Sequence, residues 1–383
     1  MDTNHPLPLL GGLSPAQFMR RHWQKKPLLI RQAIPGFVPP VSRAALFELA
    51  SQDDVESRLI KKKGAAWQLR QGPLARRALP ALTQPDWSLL VQGVDLHHDG
   101  IHALLREFRF LPDARLDDLM ISYASQGGGV GPHFDSYDVF LLQAHGTRRW
   151  SIGRQRDLTL QKNVPLKILE NFEPEQTFVL EPGDMLYLPP RYAHDGVAET
   201  GDCMTYSIGL RAPAASDLAA DLLVRLAEAA ADGVADDLAD GVASPRYRDP
   251  AQAPVLTPAA VPVGLQAFAR EAVLGALHDP AAIDRALGES LTEPKPLVWF
   301  EAAPTPAPDV WHSLALDRRT RMLYDEAHLY INGESFRAAG RDATLMRRLA
   351  DQRALDAREL KGASVAAREL LSDWCDAGWA HAD

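Results

Sequence analysis

Three residues, far apart in the chain, have the types and local settings of metal ligands. His133 and Asp135 stand at i and i+2 in the stretch GVGPHFD (129–135), and His194 lies in PGDMLYLPPRYAH, after a Gly183-Asp184 turn and the pair Pro189-Pro190. On a strand, residues i and i+2 share one face of the sheet. The spacing therefore predicts that both groups point into one cavity from a strand that the preceding glycines, tolerant of positive φ, bend into sharply. Two imidazoles and a carboxylate make a 2-His-1-carboxylate facial triad, which suits Fe(II) and leaves positions open for a cosubstrate and O₂. His194 is expected near the start of the next strand, where a jelly roll brings distant strands together. His97 and His98, in DLHHDG, read as parts of a solvated loop, and His145 as a turn residue.

A cosubstrate such as 2-oxoglutarate chelates iron at one end and leaves a carboxylate free at the other. A guanidinium pairs with that carboxylate in bidentate fashion better than an ammonium does. The stretch AHGTRRW offers Arg148 and Arg149. Adjacent strand residues face opposite ways, so one of the two enters the barrel. Arg148 is the choice, with Trp150 and Ile152 sharing its parity behind it. No convincing Ser/His/Asp or Cys/His arrangement competes with this iron chemistry.

The elements that must position these groups are legible as short runs. Between about Leu116 and Arg211 the chain alternates apolar and polar residues in DLMISYAS, DVFLLQAH, RRWSIG, QTFVLEP, DMLYLPP and CMTYSIGLR, separated by turn residues. Such a series predicts a double-layered β domain. Upstream, Ser14-Pro15 caps a helix, and KKPLLIRQA gives a short strand. Downstream, residues 214–242 are rich in Ala, Leu and Asp with helical periodicity, and Leu218, Leu222, Leu223 and Leu226 form an apolar stripe. A connector with Pro245, Pro250, Pro254, Pro258 and Pro262 follows, then a helix over 263–277. In the last hundred residues, Asn332-Gly333 between alternating runs marks a hairpin, with helices over 342–352 and 364–375, the makings of a small winged-helix-like unit.

Composition narrows the function classes. The 383 residues carry 50 acids against 41 bases, a formal charge of −9. That balance argues against broad nucleic-acid binding, which rests on phosphate neutralisation, and is compatible with a basic partner. Two cysteines, Cys203 and Cys375, lack any CxxC spacing, so a reducing, cytoplasmic setting is expected. No secretory signal and no membrane span are expected.

The combination GPHFDSYDVFLLQAHGTRRWSIG and PGDMLYLPPRYAH resembles the JmjC-domain oxygenases that depend on Fe(II) and 2-oxoglutarate. RRHWQKKPLLIR, FRFLPDARLDDLMIS and SPRYRDP narrow the resemblance to the bacterial ribosomal oxygenases, across essentially the whole chain. The resemblance implies a mainly β catalytic domain, a double-stranded β-helix or cupin-like jelly roll. This would occupy 1–212, its core at about 93–212. A helical dimerisation segment with the Pro-rich connector would follow at 213–275, and an α+β winged-helix module at 276–383. It implies a homodimer that hydroxylates an arginine side chain of a basic, large-subunit ribosomal protein, with release of succinate and CO₂.

By position, His133, Asp135 and His194 become the iron ligands, and Arg148 the anchor for the far carboxylate of 2-oxoglutarate. The family's arginine sits in a basic triplet. Here the stretch reads Gly-Thr-Arg-Arg-Trp, one base short, and alignment on Trp150 selects Arg148. Tyr137 and Asp138, expected on the same strand just past the triad, are candidates to meet a substrate guanidinium, with packing as their alternative role. Tyr206 and Ser207 are candidate cosubstrate contacts. Other readings stay open at this stage: a cupin-type metal-binding protein without redox chemistry, a demethylase acting on another basic protein, or a regulator that binds DNA through its C-terminal unit. Nucleic acid is not the expected direct substrate.

Overall fold

The computed structural model describes residues 2–239, 246–250, 253–254, 259–277, 279–302, 311–337 and 339–383. The chain forms two compact units, one of residues 1–212 with 296–299 and one of 213–295 with 300–383. The helical segment and the winged-helix-like unit, expected to be separate, thus share one compact unit. Residues 240–242 of the expected helix, and Pro245 and Pro258 of the connector, lie outside the described residues.

In the first unit, helix α1 (Pro15–Arg21) starts as its cap predicts: Ser14 Oγ accepts from the Gln17 amide, and the Gln17 side chain accepts from the Ser14 amide. The strands are β1 (Leu28–Ile30), β2 (Ser57–Lys63), β3 (Ala66–Gln71), β4 (Trp87–Val91), β5 (Leu116–Ala124) and β6 (Val139–His145). They continue with β7 (Arg148–Arg154), β8 (Gln176–Leu180), β9 (Met185–Leu188), β10 (Tyr192–Ala198) and β11 (Cys203–Leu210). Helices α2 (Arg43–Leu49) and α3 (Asp99–Arg106) accompany them. Eight strands make a large antiparallel sheet in the order β1-β9-β6-β11-β5-β4-β2-β3, and β10-β7-β8 make a small one.

The period-two alternation of strand side chains divides the large sheet into two faces. Leu119, Ile121 and Tyr123 of β5, Tyr206 and Ile208 of β11, and Phe140 and Leu142 of β6 join the main core with Phe18 and Phe108. Each such side chain contributes about 1.5–3 kcal/mol when fully buried. The alternate residues line a cavity: Asp118, Met120 and Ser122 of β5, Thr205, Ser207 and Gly209 of β11, and Val139 and Leu141 of β6. A second cluster, with Leu141, Trp150, Ile152, Leu180 and Leu188, joins residues of both sheets. The jelly roll therefore holds its site between the sheets, on the face that the core leaves free.

The second unit contains α4 (Ala215–Ala239), α5 (Val263–Leu277) and α6 (Pro280–Thr292). Its strands are β12 (Ser313–Leu316), β13 (Met322–Tyr324), β14 (His328–Ile331), β15 (Glu334–Arg337), β16 (Ala354–Asp356) and β17 (Ala380–Ala382). They form two three-stranded antiparallel sheets, β16-β12-β17 and β13-β14-β15. Helices α7 (Gly340–Gln352), α8 (Ala357–Leu360) and α9 (Val365–Asp376) pack around Leu314, Ile331, Leu349, Leu371 and Trp374. The β14–β15 turn is the expected Asn332-Gly333, both residues at positive φ, as a two-residue hairpin requires. Among the described residues, no helix is long and apolar enough to cross a membrane.

Candidate metal centre

The ligand atoms of His133, Asp135 and His194 lie within 4.8 Å of one another, the one such cluster of three or more among the described residues. The two imidazole centroids are 4.2 Å apart, and His194 Nε2 is 3.7 Å from Asp135 Oδ2. His133 Nδ1 is 2.9 Å from the Gly131 carbonyl, and His194 Nδ1 is 3.0 Å from the Tyr192 carbonyl. A carbonyl only accepts, so each Nδ1 carries the proton and each Nε2 keeps its lone pair for a metal. Burial, and then the neighbouring His133, hold His194 below the ordinary imidazole value. It is thus neutral, as a ligand must be. Two nitrogens and one carboxylate oxygen at this spacing fit Fe(II) or a similar divalent ion.

The local backbone differs from the expected strand. His133 and Asp135 sit in a loop between β5 and β6, and the loop meets β10 at a single bridge, where the His133 and His194 amides donate to each other's carbonyls at 2.9 and 2.8 Å. Pro132 has no amide to give a ladder, and Gly127 and Gly131 take positive φ of 76° and 80°, so a regular strand cannot form here. Further backbone bonds tie the loop down, among them Gly127 to Ala198, Ala198 to Gly128, Leu169 to Pro132 and Arg191 to Asp135. A Cβ on Gly129 would stand 2.5 Å from the Gly196 carbonyl oxygen, and one on Gly196 would stand 2.6 Å from the Trp150 ring. The glycines let loop, strand and indole stack at backbone distance.

Arg148 opens β7 and is 5% exposed, facing the same cavity as the triad. Its Nε and Nη2 are buried without a hydrogen-bond partner among the described residues, and its guanidinium lies 5.6 Å from the Trp150 ring centroid. Each buried donor left unsatisfied costs about 1–3 kcal/mol. An entering carboxylate would remove that cost, so the residues fit a dicarboxylate cosubstrate. Arg149 points the other way and pairs with Glu199 at 3.1 Å.

The cavity measures about 510 Å³ and lies wholly in the first unit. Tyr137 and Ser207 line it. Asp138 does not. It is fully buried, accepting from the Tyr187 hydroxyl at 2.6 Å and from Gln24 at 3.1 Å, with Arg115 at 3.5 Å. Tyr206 is also turned away, into the main core against Phe37. Tyr137 and Asp138 precede β6 rather than continuing a strand from the triad. Sequence reasoning missed Asp117, Asp118, Met120 and Thr205, which line the cavity from β5 and β11. The signal for Asp118, Met120 and Thr205 was parity: Ser207 pairs with Met120, so Asp118 and Thr205 share its face, whereas Asp117 has the opposite parity.

A family model for the JmjC domain matches residues 103–218, and one for the ROXA-like winged helix matches 275–381. A crystal structure of Escherichia coli YcfD superposes with a TM-score of 0.81 at 32% identity, covering 97% of this chain and 98% of that one. A second structure, of YcfD as a ribosomal oxygenase, covers the same shares at 31% identity and a TM-score of 0.78. The chain belongs to the JmjC-domain ribosomal oxygenases. Another structure of that ribosomal oxygenase holds cobalt and 2-oxoglutarate, with a TM-score of 0.78 to this chain. The ribosomal protein uL16 3-hydroxylase of Escherichia coli is 43% identical over 204 residues, and a probable ribosomal oxygenase of Haemophilus influenzae is 40% identical over 210. These two matches span 52% and 54% of this chain, and about half the length of each relative. His133, Asp135, Arg148 and His194 of this chain all lie inside the JmjC match.

Proposed function

We propose that the chain is an Fe(II)- and 2-oxoglutarate-dependent hydroxylase that modifies an arginine side chain of a large-subunit ribosomal protein. The observation that carries this reading is a metal triad and a buried guanidinium with free donors in one cavity. Bound iron and 2-oxoglutarate supply the chemistry: O₂ gives one oxygen atom to a substrate C–H bond and one to the cosubstrate, which leaves as succinate and CO₂. His133, Asp135 and His194 hold the metal and leave positions open for both reactants. Arg148 anchors the far carboxylate, and Leu141 and Trp150 keep water from it. Elsewhere in the lining stand Tyr137, Asp117, which pairs with Arg211 at 3.3 Å, and Asp118, which accepts from Gln92 and the Gly93 amide; their negative charge and the aromatic face suit a cationic side chain. The names of the uL16 hydroxylase and the ribosomal oxygenases support a ribosomal protein as substrate, and work in the cytoplasm goes with that reading.

A purified set of large-subunit ribosomal proteins, incubated with the protein, Fe(II), 2-oxoglutarate and air, tests this reading by intact mass. One basic protein should gain one oxygen atom, with equivalent succinate, and His133→Ala should abolish both. Loss of a methyl group would instead identify a demethylase. Metal binding without succinate from any substrate would favour the non-redox cupin.

We further infer a homodimer built on the helical segment. Leu223 and Val224 of α4 are more than half exposed, as are Val273 and Leu274 of α5, and these apolar surfaces suit a second copy. Leu226 of the predicted stripe is buried within the chain, and Leu218 and Leu222 are half-buried.

A further inference from the structure

The acidic balance of the whole chain hides a local reversal. From Arg58 to Pro85 the sequence holds seven Lys or Arg residues and no Asp or Glu. The β2–β3 pairing sets Leu59 opposite Arg70, Lys61 opposite Gln68 and Lys63 opposite Ala66. Cross-strand partners point to the same face, so Arg70, Lys61 and Lys63 share the face of Leu59, while Arg58, Ile60, Leu69 and Gln71 line the cavity on the other. The Leu59 face is the one that packs the main core, and the bases begin where that core ends. There Lys61 is paired with Trp87, Trp87 meets Phe47 at 6.2 Å, and the Arg76 guanidinium lies 5.4 Å from the Phe47 ring. Lys63, Arg70, Arg76 and Arg77 are exposed, and Lys61 is half-exposed. Among the described residues none of these five makes an ion pair.

Lysines often guard a free sheet edge against pairing. Here β3 is the edge, yet Lys61 and Lys63 lie on β2, one strand in, and Arg76 and Arg77 lie on a turn beyond both. Edge protection does not account for them. A basic ribosomal protein would be repelled by this surface. The hairpin is next to the cavity, and its exposed bases, without acids among them, suit a polyanion that accompanies the substrate.

We propose that the β2–β3 hairpin and the Arg76-Arg77 turn bind the phosphate backbone of RNA beside the substrate protein, so that the enzyme engages a protein–RNA surface. This deepens the hydroxylase reading and rests on it for the identity of the RNA. The binding itself is measured without iron or 2-oxoglutarate, which keeps the two readings separable.

Fluorescence anisotropy with a short labelled single-stranded RNA, titrated at several salt concentrations, tests it. Wild-type affinity should fall steeply with salt. In the variant Lys61→Gln/Lys63→Gln/Arg70→Gln the slope of log K against log salt should be shallower by about 2, at about 0.7 for each phosphate that is no longer neutralised. Hydroxylation of the isolated ribosomal protein by this variant should match wild type, which shows that the fold is intact. Equal slopes for wild type and variant would overturn the proposal. So would polyglutamate binding as tightly as RNA, which would make the surface a dock for acidic proteins. An absence of hydroxylation with RNA binding intact would sink the enzymatic reading and leave this one standing.

Discussion

Arg148 is the residue whose chemistry is most constrained by its surroundings. Its Nε and Nη2 are buried without a partner among the described residues, a costly state, and together they form a planar, always charged fork that a carboxylate can meet in bidentate fashion. Lysine would keep the charge and lose the bidentate geometry. Arg148→Lys should therefore raise the KM for 2-oxoglutarate about tenfold or more, while Co(II) binding, read from its visible absorption, stays at the wild-type level. A parallel loss of metal binding would mean that Arg148 supports the fold instead. At this scale much of the site was legible, because few residue types can ligate iron or fork onto a carboxylate. His133, Asp135, His194 and Arg148 come together as expected. Asp138 was misplaced because burial is a tertiary fact: next to Tyr137, it is the partner of Tyr187 and Gln24. Asp118 and Thr205 were invisible for a related reason, since their parity has meaning only once β5 is paired with β11.

Among elements, the loop from Ser125 to Asp138 is where expectation and structure part. Strand alternation would also have put His133 and Asp135 on one side, so the same clustering of candidate ligands is reached from a different backbone. The run of three glycines now has a physical cause at one position. Gly129→Ala would push a methyl to within 2.5 Å of the Gly196 carbonyl, and neither backbone can yield without disturbing the His133–His194 bridge. The variant should bind Co(II) about tenfold more weakly or worse, with a destabilisation of about 1–3 kcal/mol; titration and thermal melting read the two. A melting loss with unchanged metal affinity would show that the glycine serves packing alone. The remaining strands were legible because their alternation is the same pattern that separates core from cavity. The turn Asn332-Gly333 was legible because few dipeptides accept positive φ twice.

For the whole molecule, the chain splits near residue 212, as composition suggested, and the helices join the C-terminal unit. That grouping could not be read from composition, which changes sharply at the proline-rich connector although the fold does not divide there. The homodimer prediction belongs here. Leu223→Glu with Leu274→Glu places two charges on exposed apolar positions, so the folded chain should tolerate them. Sedimentation should shift from dimer to monomer, and a dimer that persists in the double variant would move the interface elsewhere.

The single bridge between loop and β10 has a kinematic consequence. The two histidines are the two residues of that bridge, one on the loop and one on β10, so one pair of backbone hydrogen bonds is a shared pivot for both imidazoles. The Arg191–Asp135 backbone bond is a second pivot for the carboxylate. The bonds of Gly127 and Gly128 to Ala198, and of Pro132 to Leu169, pin the loop further, so the two pivots do not turn freely. Loop and strand are therefore coupled as one piece near these bonds, which preserves the spacing of the three candidate ligand atoms.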